Sequence, residues 1–335
     1  MTEEKMKRLL TILLTMIMIG TAAAEVPGTA AAPVPTAAPA QAATRVPTEM
    51  PDPTETPAIT AEPTRTPIPR EGPVYTLPID LSPGKKLKRA NYIHDLHYKD
   101  PTIEMIASQS WDGNVKYWIA RVSIGHASQI RTMPAYSFTS TSTAEGARLS
   151  KRANAVLACN GDYFWKDVSW KGNYVLRQGE LYMQELTGRS DILLIDEEGD
   201  FHAIHKAKPG DVPETVNGRK ILNALCFGPM LVENGEICAL ERDDNIVSEQ
   251  RVGRMAICQM GPLEYAVICC APQSMTLAEF AVLVKKLGAV NAYNLDGGNS
   301  SMMFTGSRMI NHNRTTREIG DIIYFASAWP EEENP

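Results

Sequence analysis

The sequence predicts an α+β (mixed α/β) fold, a single domain with a strand-rich sheet core and a few packed helices. Three features carry this prediction. Short apolar runs rich in Val, Ile, Tyr and Leu recur along the chain. Turn dipeptides separate several of them, and one helix pattern has both ends marked.

The strand-like runs begin with Lys116–Ile124, Ala155–Cys159, Tyr174–Leu176 and Ile192–Asp196. Ala224–Phe227, Met230–Val232, Met255–Gln259 and Tyr265–Cys270 follow, and Asn291–Leu295 and Ile322–Phe325 close the series. Their β-branched and aromatic content suits a pleated, half-buried surface. Asn160-Gly161, Gln178-Gly179, Glu198-Gly199 and Asn234-Gly235 read as turns, and the two Asn-Gly pairs as hairpin signals, because both residues tolerate positive φ. The helix covers Leu277–Leu287. Thr276 and Glu279 have capping-box spacing, Leu277, Phe280, Ala281, Val284 and Leu287 share a face, and Gly288 ends it. A second helix is expected near Ser142–Ala153, carrying Ala144, Leu149 and Ala153.

Composition narrows the function classes. The 335 residues suffice for one large domain or two ordinary ones, and 44% hydrophobic with 21% charged residues is ordinary for a globular chain. Lys plus Arg is 33 against 39 Asp plus Glu, a net charge of -6. A nucleic-acid binder would carry a basic excess, so none is expected as a partner. No apolar run is long enough for a multi-span membrane protein.

Residues 1–24 read as an export signal. Lys5, Lys7 and Arg8 precede an apolar stretch from Leu9 to Ile19, and Ala22-Ala23-Ala24 offers a cleavage site. An uncleaved N-terminal anchor is the other reading, and the only route by which the chain would contact a membrane. Residues 25–73 form a linker: 12 of the 23 prolines fall there, mixed with Ala, Thr and Glu, with no aromatic residue. The domain is expected at 74–329 and a frayed acidic tail at 330–335. This organisation implies a secreted, extracellular or cell-surface protein.

Six cysteines remain: Cys159, Cys226, Cys238, Cys258, Cys269 and Cys270. An even number in an oxidising compartment permits disulfides. Four of the surrounding runs look like buried strands, where a free thiol acts as a small hydrophobe, and that reading is favoured. No Cys-x-x-Cys pair exists to suggest structural zinc.

Four polar clusters carry the chemistry. Asn294-Leu295-Asp296-Gly297-Gly298-Asn299-Ser300-Ser301 follows a strand. Its glycines can turn the chain sharply and offer consecutive amides to an anion. Asn160-Gly161-Asp162-Tyr163-Phe164 follows another strand and offers an amide, a carboxylate and a phenol. Phe227-Gly228-Pro229 with Asn234-Gly235 reads as architecture. Arg254 precedes Met255–Gln259, and arginine suits phosphate. Each cluster alone also fits an ordinary turn or a solvated charge.

In this order and spacing the clusters resemble the phosphodiester glycosidase family. The resemblance rests on Asn160 to Phe164, on Gly228-Pro229-Met230-Leu231-Val232 with Asn234-Gly235, on Arg254-Met255-Ala256-Ile257 and on Ala292 to Ser301. It continues through Asn311 and Arg317 to the strand Asp321–Phe325. The chain departs from the family where Asn299 replaces a usual glycine, Met255 a threonine and Cys258 a glycine, and Asp162 stands where glycine is common. On this reading Asn299 narrows the anion nest and Met255 removes a hydroxyl from the pocket.

The resemblance implies hydrolysis of a sugar-1-phosphodiester or phosphoglycan. A phosphodiester leaves readily, so the enzyme must chiefly stabilise an oxocarbenium-like state. Asp296 is the first candidate carboxylate and Asp162 the second. Arg254, Arg317, the Gly297 and Gly298 amides and Ser300 are candidate phosphate donors. Asn160, Asn294 and Asn311 are candidates for reading sugar hydroxyls, and Gly161 completes the substrate-binding set. Ser300 lacks a Gly-x-Ser-x-Gly elbow and is read as a donor, not a nucleophile. Asp296, Asp162 and backbone carbonyls offer the oxygen ligands that a divalent cation such as calcium takes. The pairs His94/His97 and His202/His205 lack the further ligands zinc needs. Two other readings stay open: a phosphodiesterase cutting P–O, and a non-catalytic wall-associated glycan-binding domain using Trp165, Trp170 and Tyr174 for stacking.

Overall fold

Alternation along one strand decides how the layers stack. In Met255–Gly261, Met255 and Ile257 face one apolar cluster while Ala256 and Cys258 face another. This is the period-two pattern of a strand covered on both faces. The computed structural model describes residues 73–162, 172–240 and 249–330. The expected export signal, the linker to residue 72, Tyr163, Phe164, Trp165, Trp170 and the tail from 331 lie outside the described residues.

The described chain opens with β1 (Tyr92–His94), β2 (His97–Asp100), β3 (Ile103–Asp112), β4 (Val115–Ile124) and β5 (Ile130–Pro134). After helix α1 (Gly146–Arg152) come β6 (Ala155–Asn160), β7 (Gly172–Arg177), β8 (Glu180–Leu186), β9 (Ile192–Asp196) and β10 (Phe201–Ile204). Next are β11 (Thr215–Val216), β12 (Arg219–Leu225), β13 (Met230–Glu233), β14 (Glu236–Ile237), β15 (Met255–Gly261) and β16 (Glu264–Cys269). Helix α2 (Leu277–Lys286) precedes β17 (Asn291–Leu295), β18 (Met303–Thr305), β19 (Arg308–Met309) and β20 (Asp321–Ala326).

These strands form three antiparallel sheets. The nine-stranded sheet runs β1-β2-β3-β4-β16-β15-β17-β13-β14. The six-stranded sheet runs β10-β9-β12-β7-β8 with β11 on β12, and the five-stranded sheet runs β19-β18-β6-β20-β5. One face of the nine-stranded sheet meets Val156, Leu157, Cys159, Ile323 and Phe325 of the five-stranded sheet, and Leu193, Ile195 and Leu225 of the six-stranded one. Its other face takes Leu277, Phe280 and Val284 of α2. Burying such side chains contributes roughly 1.5–3 kcal/mol each. The fold is thus the α+β architecture the sequence predicts.

The capping box at Thr276 and Glu279 forms, and Gly288 adopts φ 91° after the helix. Gln178-Gly179 and Asn234-Gly235 make hairpins with both residues at positive φ. Asn160-Gly161 does not: β6 pairs with β18 and β20, and Asn160 is a strand end. The run at Ala224–Phe227 ends as a strand at Leu225, because the Cys226 amide turns to the Asp162 carboxylate at 2.6 Å. The second helix is shorter than expected, since Ala144 instead bridges to Ile319. All six thiols are free, as favoured from their strand contexts.

Candidate active site

The site grows from two strand ends on different sheets. Asn160 ends β6 and Asp296 follows β17. The Asn160 carboxamide ties them together: Nδ2 donates to the Asp296 carbonyl at 3.0 Å, and Oδ1 accepts the Met302 amide at 3.2 Å. Asn160 is buried, so this bond is shielded from water and strengthened by its surroundings.

The loop after Asp296 is shaped by close approach. Gly298 has φ 55°, and its amide donates to the Gly253 carbonyl at 2.8 Å. A side chain on Gly297 would collide with that same carbonyl oxygen. The Gly298 amide expected to receive an anion is therefore engaged within the protein. Asn311 and Asn313 hold the far side, donating from Nδ2 to the Ser301 carbonyl at 2.9 and 3.1 Å. Asn311 Oδ1 accepts the Met303 amide. Asn294 donates to the Gly228 carbonyl at 2.8 Å. These three asparagines are buried: Asn311 and Asn313 brace the loop, while Asn294 ties β17 to Gly228 and keeps its Oδ1 buried with no hydrogen-bond partner among the described residues.

Two opposite charges reach solvent on this frame. Arg317 Nη2 donates to Asp296 Oδ2 at 2.5 Å, and its Nε donates to Ser300 Oγ at 2.6 Å. The Arg317 amide also donates to the Asn299 carbonyl at 3.1 Å. The side chains of Arg317 and Asp296 are 42% and 23% exposed, whereas Ser300 is buried. A carboxylate and a guanidinium side by side at a strand end can meet a sugar's developing positive charge and a phosphate's negative charge together.

Two other expected residues lie deeper. Arg254 is buried, donating from Nε to the Met275 carbonyl at 3.1 Å and from Nη2 to the Gln250 carbonyl at 2.9 Å. Burial lowers its pKa. Asp162 is also buried, with Oδ2 accepting Arg177 Nη2 at 3.1 Å and the Cys226 amide. It therefore does not present a second carboxylate beside Asp296 at the surface. With Asp162 on Arg177 and Asp296 on Arg317, each carboxylate expected to hold a cation already faces a guanidinium. Among the described residues no group of three or more His, Cys, Asp or Glu side chains converges. His97, His202 and His205 instead pair with Glu104, Asp196, and Asp191 with Glu233.

Met255 and Cys258 are wholly buried core residues, so Met255 removes no hydroxyl from a pocket. Asn299 is exposed on the loop. The sequence reading missed Arg177 and Asn313, and took Asp321 only as a strand start. A lone acid opening the otherwise apolar run Asp321–Ala326 is the signal that could have singled it out.

A family model described as phosphodiester glycosidase matches residues 153–326, just over half of the chain. No curated protein matches in sequence. Among solved structures, the catalytic domain of zebrafish N-acetylglucosamine-1-phosphodiester alpha-N-acetylglucosaminidase, auto-inhibited by its pro-peptide, is similar in fold. It aligns with TM-score 0.54 and 15% identity over 70% of this chain and 86% of that one. A hypothetical protein from Synechocystis aligns with TM-score 0.46 and 16% identity over 67% of this chain and 62% of that one.

Proposed function

Since the chain belongs to the phosphodiester glycosidase family, we propose that it hydrolyses the glycosidic C–O bond of a sugar-1-phosphodiester. The observation that carries this reading is the solvent-reachable Asp296–Arg317 pair on the glycine loop after β17. Arg317 holds the phosphate, and the Asp296 carboxylate stabilises positive charge at the anomeric carbon as the bond breaks. The phosphomonoester released by C–O cleavage leaves as a stable anion, so a buried Asp162 need not protonate it. The relative's name supports a GlcNAc-1-phosphodiester as the first substrate to try. The basic-then-apolar N-terminus supports export, and with it a cell-surface or extracellular glycan as substrate.

The test is turnover of UDP-GlcNAc by the full chain in ¹⁸O-labelled water, beside Asp296→Asn. Label on the released sugar, with kcat falling about 10²- to 10³-fold in the variant, is expected. Label on phosphate would make the protein a phosphodiesterase cutting P–O. Binding of such sugars without turnover would make it a glycan-binding domain.

A further inference from the structure

Two residues past the Asn160 clamp lies a second charged cluster, closed to solvent. Asp162, Arg177 and Asp321 are all buried. Arg177 Nη2 donates to Asp162 Oδ2 at 3.1 Å and lies 3.6 Å from Asp321 Oδ2. Asp321 Oδ1 accepts the Asp162 amide at 2.9 Å, and Asp162 Oδ2 accepts the Cys226 amide at 2.6 Å. Arg177 also donates to the Ala224 carbonyl. These bonds join the ends of β6, β7 and β12 and the start of β20, which belong to two different sheets.

The ionised cluster is unbalanced. Two carboxylates face one guanidinium, leaving one negative charge in a buried place, which is costly. Asp162 Oδ1 is buried with no hydrogen-bond partner among the described residues, and so is Arg177 Nε. One proton added to Asp321, the carboxyl that burial disfavours as an anion, would cancel the excess charge.

Building on the hydrolase reading above, we propose that Asp321 and Arg177 are positioning residues. With Asp162 they form a latch that one proton on Asp321 completes, and the completed latch fixes Asn160 and the Asp296 loop in the reactive geometry. Among the described residues the groups around the latch are few. Cys159 of β6 faces Asp321 as a thiol whose pKa burial raises, so it stays neutral. From β5 the facing residue is Pro134, whose carbonyl Arg152 holds. Tyr293 of β17 neighbours Asp162, and burial keeps its phenol protonated. Burial pushes the Asp321 carboxyl up to about 6; Arg177 opposes this shift and the Asp162 charge adds to it.

The consequence is a one-proton limb in kcat with its midpoint near pH 6, activity rising as pH falls through it. The limb appears in kcat/KM as well, since Arg317 is bonded to Ser300 and Asn299 of the same loop. In Asp321→Asn the carboxamide keeps an acceptor for the Asp162 amide and sets an uncharged group, at every pH, where the carboxylate stood. That variant is expected to hold its acid-side kcat through pH 8 (about two units above the midpoint), without the limb. Asp321→Ala, without that acceptor, is expected to lose about 10²-fold at every pH.

A second readout needs no turnover. Selective ¹⁵N labelling of the six cysteines gives six amide signals, with Cys226 assigned by Cys226→Ala. The Cys226 amide, bonded to Asp162, should titrate near pH 6 in the wild-type full chain and in Asp296→Asn, but not in Asp321→Asn. A limb that survives in Asp321→Asn, or a Cys226 signal flat from pH 5 to 7 in the wild type (about one unit either side of the midpoint), overturns the latch. If the wild type turns over no sugar-1-phosphodiester, the proposed function fails, and the cysteine titration alone decides the latch. It likewise decides if Asp321→Asn does not fold.

Discussion

Gly161→Ala isolates the tightest contact in the site. Gly161 does not have a left-handed φ, so its backbone would accept a side chain. Space is what forbids one: an added Cβ would lie 2.6 Å from Asp321 Cγ, and nearer still to Oδ1. Carbon contacts prefer about 3.5 Å or more, so the carboxylate must retreat by about 1 Å. That retreat breaks the 2.9 Å bond from the Asp162 amide and loosens Asp321 from Arg177. Losing a buried hydrogen bond to a charged group costs about 1.5–3 kcal/mol, and overpacking about 1–3 more. The sum, roughly 2.5–6 kcal/mol, is a large share of a domain's usual 5–15 kcal/mol. Urea denaturation measures it. Gly125→Ala is the control, because its added Cβ meets nothing closer than 3.4 Å. That control should be neutral or up to about 1 kcal/mol stabilising. In a background of Asp321→Ala the Gly161→Ala cost should largely vanish, since the colliding carboxylate is gone. A loss below about 1 kcal/mol in the single variant, or full additivity in the double, would refute the reasoning.

Three further outcomes are expected. Thr276→Ala removes the side chain that accepts the Glu279 amide, and should cost about 1 kcal/mol in thermal or urea unfolding. Arg254→Ala takes the Arg254 donor from the Gln250 carbonyl and leaves the Met275 carbonyl only the Val252 amide, and should destabilise by roughly 1–3 kcal/mol; an unchanged urea midpoint would return Arg254 to the list of phosphate ligands. The Asp321 carboxyl, at about 6 in the fold against an ordinary value of 3.8, binds its proton more tightly when folded. Its contribution is fully present below about pH 4 and is lost as pH rises through 6, an effect of about 3 kcal/mol. The stability of Asp321→Asn relative to wild type should therefore rise by about 2–2.5 kcal/mol between pH 4 and pH 7; a difference that stays flat across this window would dismiss it.

What was legible in the sequence follows a physical divide. β9 and β17 match their expected ends because each is a continuous buried run between turn residues. β8 was missed because Glu180–Leu186 is mostly exposed and polar, which hides its period. In the site, every motif residue does fall at a strand end or in the loop after it, yet their roles divide in ways the sequence does not carry. Arg254 and Arg317 are each a lone arginine in sequence; tertiary packing buries one against backbone carbonyls and leaves the other beside Asp296. Asn160, Asn294 and Asn311 each donate to a backbone carbonyl in the fold, a use the sequence does not distinguish from reading a sugar hydroxyl. Asp162 and Asp321 lie 159 residues apart, so their pairing had no local pattern to reveal it.

The Asp296–Arg317 pair also bears on how binding and chemistry are coupled in the proposed reaction. Before substrate arrives the two side chains satisfy each other at 2.5 Å, so the carboxylate's charge is spent on Arg317. An arriving phosphodiester brings an anion that the planar guanidinium can grip at two points. Once Arg317 turns its charge to the phosphate, Asp296 is held less tightly and its charge becomes available to the sugar. The Asn160 bond to the Asp296 backbone keeps the carboxylate in place while its partner changes. The carboxylate then meets the positive charge that appears at the anomeric carbon only as the bond breaks. An interaction that strengthens towards the transition state raises kcat, whereas one already complete in the bound substrate would raise affinity alone. A sugar without phosphate leaves the pair closed, and selectivity for phosphodiesters then arises from the same contact that drives the reaction.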